Sequence, residues 1–322
     1  MAQVTSSNNE HHAPDENNYM DEHRYYVDKE EEPQEGNEMQ EEEEGEEVDF
    51  IDFRNLNSQD AWPLYRYRWW MREYFAEFLG TFFLVSFGDG VGATMLFHAG
   101  STASYQTDSN YVGVTMGWGV GLTIALYITM GISGGHLNPA VTLANCISGA
   151  FPWKKAPGFI FAQIFGGFVG AANVYALFRP YLDEGEKNLQ AGETMTSKYG
   201  GLFCTYPSVP NGYAVWSELF NTMALLMGIL GINDDRMTPA INFKPVAVGL
   251  LVFCIGITTG VNSGYAINPA RDLGPRMFSA VLWGSEPFTS HHYYFWIPMF
   301  CPIFGAVLGV FLYAIFIIPK GA

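Results

Sequence analysis

The sequence predicts an all-α membrane protein of six transmembrane helices and two re-entrant half-helices, built as an inverted repeat. Three observations predict it. After residue 62 the chain contains six apolar windows long enough for a bilayer, which takes about 20 residues. Two glycine-containing stretches, "SGGHLNPAVT" at 133–142 and "NSGYAINPARD" at 262–272, interrupt the apolar runs and write Asn-Pro-Ala twice. Short motifs of the first half also recur, in order, in the second half.

The chain of 322 residues is 48% hydrophobic and 16% aromatic, but its beginning does not share that character. Residues 1–60 hold 20 acidic residues against Arg24, Lys29 and Arg54, a net of −17, which is the charge of the whole protein. Their stretch "EEEEGEEVDF" and the Asn, Gln and Glu around it carry too little apolar surface to offset chain entropy. A disordered acidic cytoplasmic tail is therefore expected at 1–60, with the membrane domain at 61–322. The sign of the tail excludes nucleic acid as a partner. A regulatory partner for the tail stands as the alternative to a merely solvated one, since the tail runs directly into "YRYRWW" at 65–70. No basic stretch followed by an apolar one opens the chain, so no signal peptide is expected.

The expected spans are 74–97, 111–131, 156–178, 213–232, 245–261 and 293–318. The first contains Glu77 and Asp89, and the fourth contains Glu218. Intramembrane acids of this kind are candidates for function by default. Glu77 and Glu218 occupy matching positions, and their expected task is to accept hydrogen bonds from the bent backbone of a re-entrant loop, with proton relay as the alternative. Asp89, in "SFGDGVG", has no counterpart and receives no role. In the second span Gly113, Gly117 and Gly121 have the spacing of a close helix contact. Arg66, Arg68, Arg72, Lys154, Lys155, Arg236, Lys244 and Lys320 flank one side of the spans, against Arg179, Lys187 and Lys198 on the other. That bias predicts cytoplasmic termini.

The repeat covers about 74–178 and 213–318. "AEFLGT" at 76–81 resembles "SELFNT" at 217–222, the Asn-Pro-Ala motifs match, and "QIFGG" at 163–167 resembles "PIFGA" at 302–306. Because each half has three spans, the second must enter the membrane from the opposite side.

Asn is a favoured helix N-cap and Pro a favoured first helical residue. Asn138-Pro139-Ala140 and Asn268-Pro269-Ala270 therefore read as starts of short helices, at 139–149 and 269–281, roughly 16 to 20 Å long, half a hydrocarbon core. Irregular backbone at that depth requires cover by protein or a watery cavity. The carbonyls of Gly134, Gly135, His136 and Leu137, and those of Ser263, Gly264, Tyr265 and Ala266, are then expected to line a passage as acceptors. If each Asn oxygen caps its own helix, its NH₂ is left to donate to a passing molecule. The partial positive charge of two half-helix N-termini repels cations and protons, so the passage is expected to conduct neutral hydrogen-bonding molecules.

With these residues the chain resembles the aquaporin family over 74–318, and within it the glycerol-conducting branch, the aquaglyceroporins. The resemblance implies the hourglass fold, one pore per subunit and a homotetramer. It also implies a selectivity filter of four residues, which the family pattern places at Trp118, Gly256, Tyr265 and Arg271. Water-selective relatives generally carry His at the position of Gly256 and lack the acid of "NPARD", here Asp272, so both residues point to glycerol. The chemistry agrees: an aromatic corner suits the C–H edge of a polyol, and the arginine fork suits its hydroxyls. Plainer readings remain beside these: a packing or lipid-facing Trp118, a packing Gly256, and a structural Arg276. His136 is expected to hold its loop, with pH sensing as the alternative.

The expected function is passive passage of glycerol and other small uncharged solutes with some water, in contact with membrane lipid, at the plasma membrane. A water-selective channel and a secondary active polyol transporter are the alternatives. No cofactor is expected. The pairs His11-His12 and His291-His292 lack further ligands at useful spacing, so no metal site is expected. Cys146, Cys204, Cys254 and Cys301 have no CxxC spacing and read as free thiols. Without a nucleophile and base pair or a phosphate loop in the spans, an enzyme is not expected.

Overall fold

The computed structural model describes residues 65–98, 110–236 and 242–318. The tail expected at 1–60 and Lys320 lie outside the described residues. Within them the chain is helical: α1 (Tyr65–His98), α2 (Tyr111–Ser133), α3 (Pro139–Ile147), α4 (Ala156–Lys187), α5 (Met195–Tyr199), α6 (Asn211–Asn233), α7 (Lys244–Thr259), α8 (Pro269–Trp283), α9 (Glu286–Tyr293) and α10 (Trp296–Phe316). The six expected spans are α1, α2, α4, α6, α7 and α10. The two half-helices are α3 and α8.

The helices differ in length from the apolar windows, α10 being shorter at 21 residues and α1 and α4 departing most. Helices α1 and α4 have 34 and 32 residues, because "YRYRWWMRE" and "RPYLDEGEK" are polar yet able to continue a helix beyond the apolar stretch. Helix α7 is shorter, 16 residues or about 24 Å, with Pro245 in its first turn and Gly260 as its C-cap. Among the described residues five helices are thus long and apolar enough to cross a membrane by length and composition, and α7 falls below that length.

Small residues set the packing. Lipid supplies little hydrophobic drive between helices, so close van der Waals contact must hold them. Gly166 and Gly170 let α4 approach the carbonyls of Phe78 and Phe82 on α1. In the second half, Gly305 and Gly309 let α10 approach the carbonyls of Leu219 and Met223 on α6 in the same way. The two halves meet where α2 crosses α7. There a Cβ on Gly119 would lie 2.6 Å from the Gly249 carbonyl oxygen, and one on Gly249 would lie 2.5 Å from that of Gly119. Half-helix α3 packs chiefly on α10, and α8 on α4, so each half-helix is seated against the last span of the other repeat. Large apolar side chains such as Phe161, Trp216, Leu250 and Phe304 are exposed on the outside, while Glu77, Asp89, Gln163, Glu218 and Asn221 are buried. That distribution suits an exterior solvated by lipid, with polar groups turned inward.

Candidate functional site

The two re-entrant loops meet at the centre of the fold. Asn138 caps α3, its Oδ1 accepting the Ala140 amide at 2.9 Å, and Asn268 caps α8 by accepting the Ala270 and Arg271 amides at 2.9 and 3.3 Å. Each Asn NH₂ donates across the pseudo-symmetry axis. Asn138 Nδ2 reaches the Ile267 carbonyl at 2.8 Å, and Asn268 Nδ2 reaches the Leu137 carbonyl at 2.7 Å. The expectation that the amides are wholly free for solute is corrected accordingly: of two amide hydrogens, one on each Asn is spent joining the loops. The Leu137 carbonyl correspondingly has a partner already.

The loops have the same backbone. Gly134, Gly135 and Leu137 have φ of 84°, 62° and 50°, and Gly264, Tyr265 and Ile267 have 78°, 39° and 46°. Left-handed backbone is easy for glycine and costs side-chain-bearing residues on the order of 1–3 kcal/mol. Tyr265 accepts that strain where the first loop has Gly135, and its ring is delivered to the cavity. Two buried carboxylates hold the strained loops. Glu77 accepts Ser133 Oγ at 2.6 Å, the His136 and Leu137 amides at 2.9 and 2.7 Å, and Gln163 Nε2 at 2.7 Å. Glu218 accepts the Ala266 and Ile267 amides at 2.9 and 2.8 Å.

His136 is hydrogen-bonded on both ring nitrogens. Nδ1 pairs with Thr142 Oγ1 at 3.1 Å, and Nε2 pairs with Asn145 Nδ2 at 3.0 Å. The ring is thus a strut between the loop and α3, packed on Phe151 and Phe159.

A cavity of about 330 Å³ runs along the loops. Its lining includes Trp118, Tyr265 and Arg271, the two capping residues Asn138 and Asn268, and Asn145, Leu230 and Asn233. Of the acceptor row expected from the sequence, Gly134, Gly135, His136, Leu137, Tyr265 and Ala266 line it. Ser263 and Gly264 are not among its lining. The Ser263 carbonyl instead accepts the buried Tyr294 hydroxyl at 2.8 Å, because α9 and the start of α10 fold over that loop. Leu84, Leu122, Leu126, Val141, Val248 and Val252 make an apolar wall.

Of the four positions expected to form a filter, Gly256 adjoins Tyr265 and Trp118 adjoins Arg271, although Gly256 does not itself line the cavity. A Cβ at Gly256 would lie 3.0 Å from Tyr265 ring atoms and from Thr115 Cγ2, so the space that glycine leaves is filled by the tyrosine. The Arg271 guanidinium lies over the Trp118 ring, 3.9 Å from its centroid, stacked on the indole. Among the described residues the guanidinium makes no hydrogen bond, which leaves its donors for a solute. Asp272 points away, paired with Arg276 (Nε–Oδ1 2.7 Å) and bonded by the Thr205 amide at 2.8 Å.

Sequence reasoning missed three contributors. Asp89 received no role, yet its Oδ1 lies 3.8 Å from Arg271 Nη1. Thr205 and Tyr294 fasten the second loop and its half-helix from connections without periodic pattern, and no sequence signal marked them.

Comparisons with known proteins agree with this geometry. The family model described as Major intrinsic protein matches residues 65–313. The chain is 45% identical over 250 residues to Aquaglyceroporin-3 of Trypanosoma brucei brucei, covering 76% of this chain and 79% of that one. It is 41% identical over 244 residues to the probable glycerol uptake facilitator protein of Thermotoga maritima, covering 76% and 98%. Among solved structures it resembles the X-ray structure of the aquaglyceroporin from Plasmodium falciparum, with a TM-score of 0.68, 32% identity, and coverage of 78% and 98%.

Proposed function

Since the chain belongs to the major intrinsic protein family, we propose that it is a passive channel for glycerol and other small uncharged solutes, with some water flow. The observation that carries this reading is the two-sided cavity. An apolar wall from Leu84 to Val252 faces loop carbonyls, two capping asparagines and the donors of Arg271. A polyol presents one C–H edge and one O–H edge, and each finds its complement there. Water alone does not require the apolar wall.

Charge is rejected at two places. The half-helices α3 and α8 direct their N-termini at the middle of the cavity, where a water or hydroxyl is held oxygen-first and a cation is repelled. Arg271 adds a fork of hydrogen-bond donors where a cation would need a cage of oxygens. Trp118, Gly256, Tyr265 and Arg271 form the filter of this proposal, with Glu77 and Glu218 holding its loops and Asp272 engaged behind it. Each subunit carries its own cavity, and the assembly is a homotetramer in lipid. The protein is an integral multi-pass membrane protein. Cytoplasmic termini follow from Arg68, Arg72, Lys154, Lys155, Arg236 and Lys244 on one side, and the plasma membrane is its proposed site.

Glycerol influx into proteoliposomes, measured by stopped-flow light scattering, tests the reading. A flux linear in the gradient and unchanged when pH and sodium gradients are dissipated is expected. Saturable flux that depends on an ion gradient would instead identify a secondary active transporter, and water flux without glycerol flux a water-selective channel.

A further inference from the structure

We propose that Asp89 is the counter-charge of the filter: a positioning residue that aims the Arg271 guanidinium and cancels its charge, and so sets which solutes the constriction admits. The inference rests on the glycerol-channel reading and deepens it. Two contacts hold the guanidinium among the described residues. One is the Trp118 ring at 3.9 Å, and the other is Asp89 Oδ1, 3.8 Å from Nη1. Both are organised by one turn of α1. A Cβ on Gly88 would collide with the Trp118 ring, so Gly88 seats the indole, and the next residue supplies the carboxylate.

The other acid nearby is committed elsewhere. Asp272 is adjacent to Arg271 in sequence, but its Oδ1 accepts Arg276 Nε at 2.7 Å. Its Oδ2 accepts Arg276 Nη2 at 3.0 Å and the Thr205 amide and hydroxyl at 2.8 and 2.7 Å. Asp272 and Arg276 thus form a closed, neutral, fully buried pair, and the charge of Arg271 is left to Asp89. The converse also holds. Asp89 is 2% exposed, and its Oδ2 has no hydrogen-bond partner among the described residues. A buried carboxylate with so few hydrogen bonds is costly as an anion unless a charge compensates it, and Arg271 is the charge beside it.

The internal repeat supplies an independent observation. By the offsets that align the two halves, Asp89 corresponds to Leu230 and Arg271 to Val141. Leu230 and Val141 both line the cavity. The charged pair Asp89 and Arg271 is therefore matched, across the repeat, by the apolar pair Leu230 and Val141.

The test is Asp89→Asn, which keeps the shape and removes the charge, examined in the full chain in proteoliposomes for glycerol flux, water flux and chloride conductance. Relative to wild type at equal abundance, glycerol flux per channel is expected to fall about tenfold, the effect of a barrier change near ~1.4 kcal/mol. Chloride conductance is expected to appear as the filter gains one net positive charge. In an Arg271→Ala background the same substitution is expected to change glycerol flux by less than about twofold, because the group it acts through is gone. If Asp89→Asn does not accumulate, Asp89→Asn/Arg271→Gln is expected to restore accumulation by removing both charges.

Three results would overturn the proposal. These are Asp89→Asn indistinguishable from wild type in all three fluxes, an equal effect with and without Arg271, or a double variant that accumulates no better than the single one. Absence of glycerol flux in wild type would sink the channel reading instead, and the chloride comparison would then still decide the role of Asp89.

Discussion

Replacing Glu218 by Gln is predicted to loosen the loop that carries Tyr265. The carboxylate accepts the Ala266 amide on one oxygen and the Ile267 amide on the other, at 2.9 and 2.8 Å, and all three residues are buried. Glutamine keeps one acceptor oxygen and turns an NH₂ toward the second amide. The lost charge-assisted hydrogen bond is worth about 1.5–3 kcal/mol, and the orphaned buried amide costs about 1–3 kcal/mol more. A total near 4 kcal/mol exceeds what either strained residue stores, so the positive φ of Tyr265 (39°) and Ile267 (46°) loses a main restraint, the bond from Asn138 Nδ2 to the Ile267 carbonyl remaining. Thermal unfolding of the detergent-purified variant is expected to shift down by on the order of 10 °C. Its glycerol flux per surviving channel should fall as the Tyr265 ring leaves its place. Glu77→Gln should be milder in flux, because Glu77 serves the loop without a filter residue. A Glu218→Gln protein with unchanged melting temperature and unchanged glycerol flux would refute the claim that this carboxylate holds the loop.

Two further predictions address charge. Asn268→Asp keeps the oxygen that caps α8 but replaces the donor facing the Leu137 carbonyl by an acceptor and adds a negative charge midway along the cavity. A sodium or potassium current under voltage clamp is expected, together with a stability loss on the order of 2 kcal/mol; a tight, non-conducting variant would show that cation rejection resides elsewhere. Outside the spans, hydrogen bonding by the Arg236 side chain holds Asp234 at a pKa of about 2, with the Arg236 amide and the Tyr313 hydroxyl assisting. Because the folded value is depressed from 3.8, its contribution is complete above that value and is lost as pH falls toward about 2. The melting-temperature difference between wild type and Asp234→Asn should therefore be constant around neutral pH and shrink only below about pH 4.

Much of the architecture was legible because it depends on local rules. Asn-Pro defines a helix start whatever surrounds it, so the beginnings of α3 and α8 at Pro139 and Pro269 followed from two residues each. The pairing of Glu77 with Glu218 was visible because the repeat aligns them. Helix ends were less legible. Helix α4 continues to Lys187, past Pro180 and well beyond its apolar part, since apolarity reports where lipid ends and not where hydrogen bonding ends. The filter was legible only in part. Tyr265 and Arg271 lie within three residues of Asn268, which leaves little freedom of placement. The role of Gly256 as the seat of the Tyr265 ring depends on the packing of α7 against a loop, and no local pattern records it. The cross-links from Asn138 to Ile267 and from Asn268 to Leu137 join residues about 130 apart. Asp89 had no acidic counterpart in the second half, and that asymmetry became informative only once Arg271 was found beside it.

The most direct test of the channel assignment compares glycerol influx with water efflux, by stopped-flow light scattering, in wild type and Gly256→His. A side chain at 256 must displace the Tyr265 ring, which begins 3.0 Å from the Cβ position and lines the cavity. Wild type is predicted to pass glycerol, and Gly256→His is predicted to lose at least about tenfold of that flux while retaining most of its water flux. Wild-type protein that passes water but no glycerol, or a histidine variant whose glycerol flux is undiminished, would contradict the account.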